Sequence, residues 1–398
     1  MPSATASPSS HSAASPDPGF GPATLWLYAA MLLTGIGTVL IGPLLPHLQS
    51  KLALTDAQSG ALLAAKFTAA CLGGAAVRSV RTAFVLGCVT CAAGFAWLGA
   101  AMSPWAAGAA ISISGFGVGH LITSMNILAG RRYTEHTGSA LNLLNVFWGL
   151  GAMMAGALVG GLLPRIGMRW LLALYATAFV VVWVAGSLHT EGSAPSVSGT
   201  NDPAPVQSLP RGVLAAFCVT LVLYGGFETG LGNWITTYSV RYGGAQLFDG
   251  QSAVIFFWGA LTAGRIAASL VLRSVRERTV QLTSMGLATV FAAALLWGHS
   301  ATSISTITLL LGAALSAYFP TTFGRLMRWR PLAWQASLIL AVSGLGAAGS
   351  LALTGFISTH LHSLRMGMLV PLLLAVLLVA VSAALPSAPQ ALAENNGV

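Results

Sequence analysis

The sequence predicts an all-α membrane protein: twelve transmembrane helices arranged as two pseudo-symmetric six-helix bundles. Three observations predict it. Of 398 residues, 55% are hydrophobic and only 7% are charged, against about 25% charged in a soluble chain, and mean hydropathy is +0.78. Twelve apolar runs reach membrane-spanning length. The second six of them repeat the first six across a polar segment.

Residues 1–23 are rich in Ser, Pro and Ala and lack Lys and Arg, which predicts a disordered cytoplasmic tail. A signal peptide would begin with a basic region. The first bundle, 24–189, holds apolar runs near 24–47, 58–77, 82–102, 105–128, 138–163 and 169–189. A Pro/Ser-rich cytoplasmic linker, 190–211, follows. The second bundle, 212–386, holds runs near 212–238, 251–272, 279–298, 303–326, 333–359 and 365–385, and 387–398 forms a second cytoplasmic tail.

The net charge of +9 is spread thinly over loop ends, which argues against nucleic acid and for topology. With both termini cytoplasmic, the inner connections hold Arg78, Arg81, Arg131, Arg132, Arg211, Arg273, Arg276, Arg278, Arg325, Arg328 and Arg330. The outer ones hold only Lys51, Arg165, Arg169, Arg241 and Arg365. That asymmetry is the positive-inside rule, and it predicts a multi-pass protein of a bacterial-type inner membrane. The four cysteines (Cys71, Cys88, Cys91, Cys218) all fall in apolar helices. Cys88-x-x-Cys91 lacks a second pair, so neither a disulfide nor a metal is expected.

Within the apolar runs, one stretch stands out: Tyr224–Trp234, Y-G-G-F-E-T-G-L-G-N-W. Glu228 is the only carboxylate in the chain that falls inside such a run. A carboxylate at lipid depth costs about 2.5–3.5 kcal/mol unless it faces a wet cavity or a partner. Gly225, Gly226, Gly230 and Gly232 loosen the helix around it, a feature tolerated where backbone lines a cavity. The combination predicts a transport site. Glu228 is the expected acceptor of substrate hydroxyls and carrier of the coupling proton, and a protonated core acid is the alternative.

The halves align at several places. T-G-I-G-T-V-L-I-G (Thr34–Gly42) parallels Tyr224–Gly232, and Gly73–Arg81 resembles Ala267–Arg276. Gly130-Arg131 parallels Gly324-Arg325. The register sets Thr38 opposite Glu228, so only the second half carries an acid at this level. Two six-helix halves in parallel repeat joined by a polar linker resemble the major facilitator superfamily, whose fold the chain is expected to adopt. The loop after helix 2, G-A-A-V-R-S-V-R, lacks the acid of the superfamily's motif there. The glycine-dense Gly149–Gly161 resembles its helix 5 antiporter motif without the proline.

The pieces Tyr224–Ile235, Phe256–Arg265, Tyr318–Phe323 and Ala140–Gly151 resemble the fucose–galactose–glucose proton symporter branch. That resemblance implies alternating access that moves a hexose with a coupling proton or sodium ion. The branch's acids in helices 1 and 4 fall here at or near Gly42 and Ile122, and its helix 5 polar positions at Asn145 and Trp148.

Further candidates follow from position. Lys66 lies roughly 12 Å below the outer surface at about 1.5 Å per residue, at the depth of Glu228. The resemblance implies that helices 2 and 7 face each other across the outer half of the cavity, so a Lys66–Glu228 ion pair gating the outer side is expected, with a snorkelling lysine or an anionic substrate as the alternatives. His120 lies two residues from the branch's helix 4 position and is a second candidate proton carrier. Asn142 and Asn145 share one face of helix 5, and Asn126 adds an amide in helix 4. Trp148, Tyr224, Trp234, Trp258 and Tyr318 are candidates to stack on a sugar ring, and Asn233 completes the helix 7 motif. Arg265 is expected to gate the inner side by contacting backbone carbonyls.

No G-x-x-x-x-G-K-[ST] motif is present, so ATP is not the expected energy source. The expectation is a non-enzymatic secondary transporter, monomeric, importing a neutral monosaccharide such as glucose, galactose or fucose by proton symport, with sodium as second choice and no cofactor. A proton-coupled exporter or antiporter of an organic cation or amphiphile is the alternative.

Overall fold

The computed structural model describes residues 22–133, 137–189, 208–244, 247–272 and 274–387; the two tails, most of the linker and Arg273 lie outside them. Among the described residues the elements are helical: α1 (Pro22–Val39), α2 (Ile41–Leu52), α3 (Asp56–Ala75), α4 (Val80–Ala100), α5 (Pro104–Arg132) and α6 (Thr137–His189) in the first half. The second half holds α7 (Arg211–Tyr242), α8 (Leu247–Val271), α9 (Glu277–Leu295), α10 (Ala301–Leu315), α11 (Tyr318–Met327), α12 (Ala333–His360), α13 (Leu364–Gly367) and α14 (Leu369–Ala384).

At Pro43 and Pro320 two of the twelve expected segments are broken, and two others run together in one element. Pro43 supplies no N–H to the carbonyl four residues back, and α1 and α2 meet there at 42°. Pro320 does the same between α10 and α11, where Ser316 and Ala317 form the turn. The 53-residue α6 is far too long for one crossing at about 1.5 Å per residue. It divides at Gly167, whose φ of 74° lies in the left-handed region that glycine adopts without steric cost. Among the described residues seven stretches are long and apolar enough to cross a membrane, α10 with α11 counted as one, and α1 with α2 makes an eighth.

The internal repeat is visible in the packing. A side chain on Gly35 would run into the Trp148 carbonyl, and one on Gly225, 190 residues later, into the Ser343 carbonyl. Reciprocally, Gly151 faces the Leu32 carbonyl and Gly346 the Val222 carbonyl. Gly115 of α5 faces the Lys66 carbonyl of α3 as Gly312 of α10 faces the Phe257 carbonyl of α8, while Gly73 meets the Phe116 carbonyl and Gly264 the Ser316 side chain. Bare glycine backbones let helices approach closely in a medium that gives no hydrophobic drive between them. The repeat in sequence is thus a repeat of helix contacts.

Large apolar side chains on the outer surface, such as Leu174, Val181, Val290 and Leu373, are exposed, as a lipid-facing surface requires. Trp97, Trp105, Trp170 and Trp297 are also exposed, and all lie toward the end of the bundle opposite the termini, hereafter the far end. Such a tryptophan girdle marks a membrane–water interface.

Candidate functional site

The two halves meet through α3 with α12, α6 with α8, and α2 with α7. At the far end they are latched. Arg241 of α7 donates from Nη1 to Asp56 Oδ2 at 2.6 Å and from Nη2 to Asp56 Oδ1 at 2.6 Å. The Gln49 amide donates to Asp56 Oδ1 at 2.7 Å, and the Ser358 hydroxyl of α12 donates to Asp56 Oδ2. The Ala57 N–H donates to Thr359 Oγ1 at 2.7 Å. Burial pushes the Asp56 carboxyl up, but hydrogen bonds from Arg241, Ser358 and Gln49 outweigh it and hold it below the usual carboxylate range. Close backbone approaches of Gly42 to Asn233 and of Gly60 to Leu351 complete the closure.

Toward the termini α3 and α12 stay in contact, the Cys71 thiol donating to the Ala341 carbonyl at 3.6 Å, whereas the α6 face beside α8 becomes exposed. Asn142, Asn145 and Gly149 lie on one face of α6. Gly149 packs against Thr262 of α8, whereas Asn142 and Asn145 on the same face are exposed. The face that touches the second half at Gly149 therefore looks into a gap one turn below. The gap opens toward the end that carries the termini.

Across the interface, on α7, stands Glu228, 12% exposed. Its Oε1 accepts from the Tyr224 hydroxyl at 2.7 Å and lies 3.6 Å from Arg265 Nη2. Tyr224 stacks on Tyr318 with ring centroids 5.3 Å apart, and Tyr318 in turn is bonded to Ser382. One turn beyond Glu228, Gly232 leaves room for the Trp258 indole. Trp258 meets Trp148 edge to face at 5.6 Å. Trp258, Thr262 and Arg265, spaced i, i+4 and i+7, present one face of α8 to α6 and α7. The Thr262 hydroxyl, the Trp258 Nε1 and the Arg265 Nε are buried without a partner, and such atoms call for a ligand or water.

Three expectations change. Lys66 does not meet Glu228: it is 1% exposed and its Nζ donates to the Thr38 carbonyl at 2.6 Å. Pro43 leaves the Val39 carbonyl without its helical donor, and the ammonium bonds the adjacent Thr38 carbonyl at the α1–α2 bend. Arg265 reaches the Glu228 carboxylate in place of backbone carbonyls. The ion pair that joins the halves at the far end is made by Asp56 and Arg241, which the sequence places only in connections between apolar runs.

The remaining candidates are dispersed. His120 is buried in α5 against Gly73 of α3, with Nδ1 3.2 Å from the Phe116 carbonyl. Asn126 is half-buried and bonds its own helix at the Ile122 carbonyl, as Asn145 does at Leu141. Asn233 is buried against Gly42 in the far-end closure, with its Oδ1 unpartnered. Trp234 is fully buried, its Nε1 unpartnered. Thr262 is the site-lining residue that sequence reasoning missed; its spacing between Trp258 and Arg265 was the available signal. Among the described residues no cluster of three metal-ligating side chains occurs.

The family model described as Major Facilitator Superfamily matches residues 27–328. No curated protein sequence matches significantly. Among solved structures, the chain is similar to a bacterial homolog of the human lysosomal transporter Spinster in an inward-facing, occupied conformation. The TM-score is 0.72 at 15% identity, over 92% of this chain and 97% of that one. The same homolog in an inward-facing, unoccupied conformation gives a TM-score of 0.68 at 14% identity, over 91% of this chain and 96% of that one. At these identities the likeness is one of fold.

Proposed function

The chain belongs to the major facilitator superfamily, and from that premise we propose that this membrane transporter imports a neutral monosaccharide by proton symport. The far end faces the outside in this reading, both termini lie in the cytoplasm of a bacterial-type cell, and the gap opens inward. One observation carries it: Glu228 is neutralised by Arg265 at 3.6 Å beneath the Trp148–Trp258 pair. A compensated pair offers one acceptor and several donors without net charge. Vicinal hydroxyls of a sugar satisfy both, and hydrogen bonds to charged groups are the stronger kind. Indole rings suit the C–H face of the sugar. An organic cation would need an uncompensated carboxylate, so the exporter reading loses its main support.

In this mechanism Glu228 takes the coupling proton. Protonation weakens its hold on Arg265, freeing the guanidinium for substrate and tying proton to sugar. Asn145 and Asn142 line the inward path. The Asp56–Arg241 latch must open for the outward-facing state. Uptake of a labelled hexose panel into proteoliposomes, with pH and sodium gradients imposed separately, tests the reading. Hexose accumulation driven by an inward proton gradient is expected; no hexose uptake under either gradient would overturn it.

A further inference from the structure

A second concave site lies at the far end, on the lipid flank where α6 meets α8 and α10. It encloses about 850 Å³, enough for a lipid head group and the start of its chains. One wall is α6, with Gly156, Gly160 and Arg165; the other is α8 and the first turns of α10, with Gln251, Ser252 and Thr302. Ala157 and Phe256 at its edge are exposed, so the groove is continuous with the membrane-facing surface. Its upper rim lies at the level of the tryptophan girdle.

Two features of its chemistry specify the occupant. Arg165 stands exposed at the mouth, its Nη1 bonded to the Gly161 carbonyl, and the positive end of α10 begins opposite it. Together they favour an anion. Deeper, Gln251 is 1% exposed. Its Nε2 donates to the Pro43 carbonyl at 3.2 Å, which fixes the amide's orientation, because the flipped form would set two oxygens against each other. The Oε1 is left buried with no partner, an acceptor calling for a donor. Ser252 and Ser305 are already bonded to each other at 2.7 Å.

We propose that this groove binds a phospholipid whose head group carries a phosphate and a hydrogen-bond donor, an ammonium or hydroxyl. The phosphate meets Arg165 and the donor meets Gln251 Oε1. The groove bridges the two halves at their closed far end, so bound lipid favours this conformation over the one in which α6 and α8 part.

Native mass spectrometry of the purified full chain tests this with phosphatidylethanolamine, phosphatidylglycerol and phosphatidylcholine of matched acyl chains. The first two should be retained roughly fivefold or more above phosphatidylcholine, which has no head-group donor. Arg165→Ala should lower their retention by a similar factor, and Ala157→Phe, which plugs the groove from an exposed position, should abolish the preference. Thr302→Trp serves as a second plug where Ala157→Phe yields no monodisperse protein. Equal retention of all three lipids, or retention unchanged in Arg165→Ala and in the plugged variant, overturns the proposal. Displacement of lipid by millimolar inorganic phosphate marks a free-anion site and also overturns it.

Discussion

Thr38 and Glu228 are equivalent positions of the two halves, 190 residues apart in the register set by Gly35 and Gly225. Each is met by a cation from a neighbouring helix, yet the outcomes differ. In the first half Lys66 bonds the Thr38 carbonyl and is 1% exposed. In the second half Arg265 meets the Glu228 side chain, and the two are 17% and 12% exposed. The first arrangement satisfies a buried ammonium with a backbone acceptor at the α1–α2 bend. The second leaves an ion pair with spare donors where a solute can reach it. In the proposed reading one repeat serves as scaffold and the other as the site, and the difference follows from the carboxylate that only the second half carries at this level.

The comparison breaks most visibly at Glu228. Glu228→Gln keeps the shape and the Tyr224 contact but removes the proton-exchanging group and leaves Arg265 uncompensated. Breaking one partner of a buried pair costs about 3–5 kcal/mol, so accumulation driven by a proton gradient should vanish. Sugar counterflow, which needs no net proton movement, should persist in part. Accumulation at the parent level in the glutamine variant would remove Glu228 from coupling. A double exchange, Glu228→Arg with Arg265→Glu, should recover sugar binding lost in both single variants, whereas an exchange of Lys66 with Glu228 should recover nothing.

The symmetry itself is tested next. Gly35→Val and Gly225→Val both drive a side chain into a backbone carbonyl of the partner helix, at Trp148 and Ser343. Carbonyls of packed helices have little room to yield, and overpacking costs about 1–3 kcal/mol or more. The two variants should lose folded yield in detergent to a similar extent. A tolerated change at one site alone would show that the halves are less alike than their packing.

The far-end latch is a smaller contribution, because Arg241 keeps 37% of its side-chain surface in water and exposed pairs are screened. Asp56→Asn should weaken the closed state by about 1–2 kcal/mol, read as increased labelling of a far-end cysteine reporter. The pH dependence has a definite sign. The Asp56 carboxyl is held below its ordinary value of 3.8 in the closed state. Its stabilisation is therefore present above that value and lost as pH falls through the lowered one. Far-end opening should rise at the acid extreme in the parent, and this acid dependence should be absent in Asp56→Asn.

Much of this was legible in the chain. Hydropathy and spacing found the helices, and the repeat found the pseudo-symmetric packing, because glycine contacts recur at offsets close to those of the sequence. Glu228 stood out as a lone acid in an apolar run. Its partner did not: periodicity gives a residue's depth and face, not which of several cations its side chain reaches. Depth put Lys66 level with Glu228 and Arg265 nearer the inner end, yet Lys66 bonds the Thr38 carbonyl and Arg265 reaches the carboxylate. The Asp56–Arg241 latch was hidden for another reason. Its members lie 185 residues apart at helix ends, where charged residues are ordinary and carry no signal of their own.

The smallest effect is expected at Lys66, and it sharpens the contrast most directly. Lys66→Met keeps length and apolar bulk while removing the charge. Losing the bond to Thr38 costs about 1.5–3 kcal/mol, as for hydrogen bonds to charged groups. Relief of the ammonium's burial returns an amount of the same order, since desolvating an ion costs several kcal/mol. The two nearly offset, so thermal stability should move by less than about 1.5 kcal/mol. Proton-driven uptake should stay within roughly threefold of the parent, the rate equivalent of under 1 kcal/mol. A loss as deep as that of Glu228→Gln would place Lys66 on the coupling path and erase the distinction between a scaffold half and a site half.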